Sequence, residues 1–120
     1  MTTAPAKKAA PRKTPARKAD PYEPILADLK ARLGFGHVQP GLPLRGGVNP
    51  EKGREHFQQR NEHWRSFNEG REDSGRLGHD GVLLEDLYFA LSMRTDDDAM
   101  HALLNVAARI VEIAKHRADR

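Results

Sequence analysis

Two adjacent helix-forming segments near the C-terminus, residues 80–94 and 96–117, constrain the fold of this chain most strongly. The second segment repeats apolar residues at the i, i+3, i+4, i+7 spacing of an amphipathic helix. Between the two, Thr95 and Asp98 have the spacing of a helix capping box. So short a connection predicts that the two helices are antiparallel neighbours. The apolar residues that carry the pattern are Leu83, Leu84, Leu87, Tyr88 and Leu91 in the first segment, and Met100, Leu103, Leu104, Ala107, Ile110, Val111 and Ala114 in the second.

Two further helices are predicted upstream. One begins at Glu23 and Pro24 and ends at Gly34, and the other begins with Asn49 as its cap and runs to about Phe67. The inward stripe predicted for the latter is narrow and consists of Phe57, Trp64 and Phe67. Residues 37–48 and 68–78 are glycine-containing and are predicted as loops. Because no strand pattern occurs, the predicted fold is all-α, a small antiparallel bundle of about four helices.

Residues 1–20 form a predicted disordered tail, which leaves residues 21–120 as the helical domain. The tail has three prolines and no large apolar residue after Met1, so it cannot bury enough surface to offset the cost of ordering its backbone. With six basic residues against Asp20 it carries +5, so the domain carries −2 of the chain's net +3. Such a tail can bind nucleic acid by neutralising phosphates, or it can serve only as a flexible solubilising extension. The basic residues are Lys7, Lys8, Arg12, Lys13, Arg17 and Lys18.

Composition excludes several classes of protein. The chain has no cysteine, so disulfides and thiolate metal sites are impossible. No apolar run approaches the length of a membrane span, and the N-terminus lacks the apolar segment of a signal peptide. We therefore expect a cytoplasmic protein that does not interact with membranes. A domain of only a hundred residues has a small core, which favours self-association, and we expect a homodimer.

The string Leu83-Leu84-Glu85-Asp86-Leu87-Tyr88, followed on the next helix by Asn105-Val106-Ala107-Ala108, resembles the MazG-like all-α nucleoside triphosphate pyrophosphohydrolases, in particular their small actinobacterial and phage type. In that family one helix carries Glu-Glu-x-x-Glu and the next carries Glu-x-x-Asp, or a variant with an amide in the last place. The resemblance covers residues 81–117.

The resemblance implies a magnesium site for a nucleoside triphosphate. Glu85 and Asp86 match the first two acids of the family pattern, and Asn105 matches the last place with an amide oxygen. Phe89 and Ala102 occupy the places of two lost carboxylates. These losses predict an impaired site that at most binds a nucleotide with Mg²⁺, so no catalytic residue is assigned and it stays open whether the protein is an enzyme.

One basic residue is a candidate to bind the phosphates of such a nucleotide. Arg109 lies one helical turn beyond Asn105 on the same helix face. The alternative for the whole chain is a non-enzymatic helical interaction protein, a phage or bacterial accessory protein whose basic tail binds nucleic acid or an acidic partner. An unrelated helical bundle with no small-molecule ligand also fits the sequence.

Overall fold

The computed structural model describes residues 19–34, 39 and 41–118, which form four α-helices and, within these ranges, no strand. The predicted all-α fold of about four helices is confirmed. The predicted disordered tail lies outside the described residues up to position 18, and so do its six basic side chains. The helices are α1 (Glu23–Arg32), α2 (Pro50–Asp73), α3 (His79–Leu91) and α4 (Asp96–Ala118).

Local sequence signals set the starts of two helices. The Asn49 side chain caps α2, because its Oδ1 accepts a hydrogen bond from the Lys52 amide at 3.2 Å. At the start of α4, Thr95 Oγ1 accepts a hydrogen bond from the Asp98 amide at 3.1 Å. Both predicted caps are therefore confirmed.

Two predicted helix ends are wrong. Helix α2 continues to Asp73, six residues beyond the predicted end at Phe67, because Asn68 and Arg71 make contacts with α3 that hold the last turns. The chain then turns at Gly75, which has a positive φ of 73°. Helix α3 stops at Leu91, three residues before the predicted end, where Arg45 and Arg54 of other segments bind the carbonyl oxygens of Leu91 and Ser92.

The four helices lie in the spatial order α2, α3, α4, α1. Helix α3 packs between α2 and α4, whereas in the described part of the chain the backbone of α1 approaches only α4, and the backbones of α2 and α4 do not approach closely. At the N-cap of α1 the Tyr22 hydroxyl donates a hydrogen bond to Glu112 at 2.5 Å, and the Lys115 ammonium lies 5.6 Å from the Tyr22 ring centroid. In the described part of the chain the helices thus form one open layer.

The core of this layer is thin. Ala90 and Ala99 are fully buried and Val106 is 8% exposed, whereas no large side chain among the described residues is completely buried. The small side chains at Ala90 and Ala99 allow α3 and α4 to approach closely. Phe67, predicted to face inward, is instead 44% exposed, and the Arg71 guanidinium lies 4.5 Å from its ring centroid. No helix in the described ranges has the length and apolar character needed to cross a membrane.

Candidate functional site

A row of polar side chains runs along the contact between α2 and α3. The inward residues of α2 alternate at spacings of four and three, the pattern of a helix that packs along one stripe. Two members of the stripe, Asn61 and Asn68, are the buried residues of α2, at 5% and 6% exposure. The stripe consists of Phe57, Asn61, Trp64, Asn68 and Arg71.

The two asparagines bind both the backbone carbonyl group and the side-chain carboxylate of Glu85. Asn61 Nδ2 donates to the Glu85 carbonyl oxygen at 2.8 Å, and Asn68 Nδ2 donates to Glu85 Oε1 at 2.9 Å. Asn68 Nδ2 also donates to the Gly81 carbonyl oxygen at 2.9 Å. Because a buried amide without partners would be unfavourable, these hydrogen bonds fix the register of α3 on α2.

Because residue 81 is glycine, the Asn68 side chain on α2 can lie close to the backbone of α3. A Cβ atom added at Gly81 would lie 2.1 Å from Asn68 Oδ1, far inside van der Waals distance. Asn68 Oδ1 itself is buried without a hydrogen-bond partner, because its amide group is oriented by the two bonds that Nδ2 donates. Gly81 is therefore required by packing and not by backbone conformation.

The predicted metal ligands turn toward different neighbours. Glu85 binds Asn68 on α2, whereas Asp86 accepts a hydrogen bond from Arg109 Nε on α4 at 2.8 Å. Consecutive helical residues point about 100° apart, so one helix cannot direct both carboxylates at a single cation. The third predicted ligand, Asn105, is exposed on α4.

These residues do not fit a two-magnesium site as they are arranged. Magnesium requires several oxygen ligands around one point, and no group of three or more Asp, Glu or His side chains that could hold a metal ion occurs in the described part of the chain. The magnesium site stays a prediction, and the contacts of Glu85 and Asp86 weigh against it.

Arg109, the candidate phosphate ligand, is engaged with Asp86. The pair is partly exposed, with 46% of the Arg109 side chain and 35% of the Asp86 side chain accessible to solvent. A phosphate group would have to compete with this carboxylate for the guanidinium. The structure thus brings Arg109 and Asp86 together, a pairing that the sequence analysis missed although α3 and α4 were predicted as neighbours.

Two arginines form a second polar cluster where α3 ends. Arg45 donates to the carbonyl oxygens of Leu91, at 3.2 Å, and Met93, and pairs with Asp96 at 2.9 Å. Arg54 donates to the Ser92 carbonyl oxygen at 3.0 Å. Since these arginine side chains are only 11% and 12% exposed, their guanidinium groups replace water as partners of the carbonyls at the end of α3 and just after it.

The Arg54 guanidinium also pairs with Glu51 on the same helix. Its Nη2 lies 2.5 Å from Glu51 Oε2, and this hydrogen bond holds the pKa of the Glu51 carboxyl below its usual value. The cluster therefore joins the start of α2 to the α3–α4 turn. Its groups are satisfied by one another, which indicates a structural role for the cluster.

One hollow in the surface of the layer lies away from the predicted metal ligands. A hollow of about 870 Å³ lies where α2 ends and α3 begins, and neither Glu85 nor Asp86 lines it. Its lining residues are Ser66, Phe67, Gly70, Arg71, Ser74, Arg76 and Asp80.

Comparisons of this chain with known protein families, with curated proteins and with solved structures find no match. They neither support nor refute the MazG-like resemblance, which remains a prediction.

Proposed function

We propose that this protein is a non-catalytic helical interaction protein, in which the helical layer self-associates and the basic tail binds polyanions such as nucleic acid. The observation that carries the proposal is the open layer itself: no large side chain is completely buried among the described residues. The hydrogen bond of Glu85 with Asn68 and the ion pair of Asp86 with Arg109 support a role other than catalysis.

Physical chemistry gives the reason for self-association. Domains are stable when two layers of secondary structure bury a shared apolar surface, and a single layer leaves both of its faces in water. Here Phe89, Leu104 and Ile110 are 46%, 59% and 49% exposed. A second layer supplied by another chain would bury these side chains, and burial of apolar surface contributes about 25 cal/mol for each Å².

The first experiment measures the mass of the full-length protein by size-exclusion chromatography with light scattering, over a range from low to high micromolar concentration. We expect a mass of at least twice 13.4 kDa. A monomer at every concentration would overturn the proposal that the layer self-associates.

The second experiment tests the tail. Six basic residues that neutralise phosphates predict that the affinity for a DNA duplex falls with salt, with a log–log slope no steeper than about −5. Deletion of residues 1–19, or glutamine at all six basic positions as a control of equal length, is expected to abolish binding. Binding that survives in both variants would contradict a role for the tail.

A nucleotide-binding relative of the pyrophosphohydrolases is the second candidate. The packing of α3 against α4 favours it, with Glu85 and Asp86 in the middle of α3. Calorimetry with Mg²⁺ or Mn²⁺ and a non-hydrolysable nucleoside triphosphate tests it. Binding that is lost in Glu85→Gln and kept in the exposed control Glu62→Gln would support this candidate, and robust release of pyrophosphate would overturn the non-catalytic proposal.

A further inference from the structure

Helix α4 carries an apolar strip that the other helices of the described part of the chain leave exposed at most of its positions. We call it the outer α4 strip; its residues recur at spacings of three and four along about 21 Å of helix. Helix α3 packs on a different side of α4, where Ala99 and Val106 are buried, and α1 lies against Ala108 and Val111. The strip consists of Met100, Leu103, Ala107, Ile110 and Ala114, with Leu104 beside it.

The strip is accessible in the single chain. Met100, Ile110 and Leu104 are 45%, 49% and 59% exposed, and Ala107 at the centre is exposed as well. A continuous apolar stripe of this kind on a surface helix is typical of a helix that packs against another helix.

The charges at the two ends of α4 identify the partner. Its first turn holds three acids, Asp96, Asp97 and Asp98, and its last turn holds Lys115, His116 and Arg117. Two copies of α4 that pack antiparallel place each acidic turn beside the basic turn of the other copy. Parallel packing would instead place like charges together, which is unfavourable.

We propose that a second copy of this chain packs on the outer α4 strip, with the two α4 helices antiparallel about a two-fold axis at Ala107. This inference rests on the proposed function, since it specifies the surface through which the layer self-associates. Ala107 allows the two helix backbones to approach closely at the axis.

The positions along the strip are self-complementary in this arrangement. Met100 and Ala114 are each seven residues from Ala107, so the long side chain of one copy faces the short side chain of the other. Leu104 and Ile110 are each three residues away, so they lie at the same level on the two sides of the interface. Asp97 and Arg117 are each ten residues away, which places the acidic turn of each copy level with the basic turn of the other at both ends of the interface.

The decisive variant is Ala107→Glu. In the single chain it replaces an exposed helical alanine by a good helix former, so the fold should persist. In the dimer it brings two carboxylates together at the axis, and the dimer dissociation constant should rise by about 100-fold or more. The matched control is Gln59→Glu, which adds the same charge to the exposed side of α2 and should leave the mass unchanged.

Exchange of the charges at Asp97 and Arg117 tests whether the two α4 helices are antiparallel. Asp97→Lys and Arg117→Glu should each weaken the dimer by about threefold, the size expected for an exposed ion pair. The double variant Asp97→Lys/Arg117→Glu restores opposite charges between copies and should return the dissociation constant to that of the unchanged protein. If the double variant is weaker than either single variant, the antiparallel arrangement is wrong.

Light scattering distinguishes failure of the α4 interface from failure of self-association as such, with circular dichroism confirming that each variant is folded. A folded Ala107→Glu variant that keeps the dimeric mass overturns the α4 interface and leaves the proposed self-association intact. An unchanged protein that is monomeric at all concentrations overturns both, and the strip is then covered by another protein or by residues outside the described ranges.

Discussion

Replacement of Gly81 by alanine is expected to destabilise the protein, although alanine is the better helix former. The new Cβ would lie 2.1 Å from Asn68 Oδ1 and 3.1 Å from Asn68 Cγ. Asn68 is buried, so its side chain cannot move aside without giving up the hydrogen bonds to Gly81 and Glu85.

The magnitude follows from these bonds. The hydrogen bond to the Gly81 carbonyl contributes about 1 kcal/mol, and the bond to the Glu85 carboxylate, a charged group, contributes about 2 kcal/mol. The higher helix propensity of alanine relative to glycine stabilises the variant by about 1 kcal/mol. The net loss in the free energy of unfolding is therefore about 2 kcal/mol, which lowers Tm by about 10 °C in a domain of this size.

Urea denaturation followed by circular dichroism measures this loss, with all variants at one protein concentration because self-association affects apparent stability. The control is Gly70→Ala, since a Cβ at Gly70 of α2 meets nothing within 4 Å. That variant should be more stable than the unchanged protein by up to about 1 kcal/mol.

The double variant Asn68→Ala/Gly81→Ala separates the clash from any backbone effect. Once the Asn68 side chain is removed, alanine at position 81 should stabilise by about 1 kcal/mol relative to Asn68→Ala alone. A steric clash with Asn68 is excluded if Gly81→Ala is as stable as the unchanged protein, or if it is equally destabilising with and without Asn68.

Three smaller predictions concern charged groups. Arg45→Ala removes the donor of two carbonyls at the end of α3 and should lower the free energy of unfolding by about 2 kcal/mol in urea denaturation. Arg109→Ala breaks a partly exposed pair with Asp86 and should cost less than about 1 kcal/mol, with most of the effect lost in high salt. The hydrogen bond from the Gly81 amide lowers the pKa of Asp80, so the stability it provides is present above the ordinary carboxyl pKa, near 4, and is lost as pH falls. Thermal unfolding from pH 5 down to pH 2 should therefore show a shallower decline for Asp80→Asn than for the unchanged protein.

For helix α2, sequence patterns predict the start of the helix correctly but not its end. Its start was predictable because the Asn49 cap and Pro50 act locally, within one turn of the backbone. Its end was not, because residues 68–73 are polar and held in the helix by α3. A stripe of alternating spacings that includes Asn61 and Asn68 indicates the longer helix, but asparagine is usually exposed, so the residue type alone does not place it on the inward side.

The candidate site, like helix α2, is predictable from the sequence only in part. The sequence correctly places Glu85, Asp86 and Asn105 on two consecutive helices, which the periodicity alone establishes. It does not establish that Glu85 turns toward α2 and Asp86 toward α4, because α2 is more than ten residues distant in the chain and its contact surface is polar.

The helical class, the four helices and the side-chain caps at Asn49 and Thr95 follow from local patterns, because hydrophobic periodicity and capping act over a few residues. The open layer, its buried asparagines, the required glycine at position 81 and the exposed strip on α4 follow only from contacts between helices. Those features depend on which helices touch, and contacts between residues distant in the chain are set by the summed packing of whole helices.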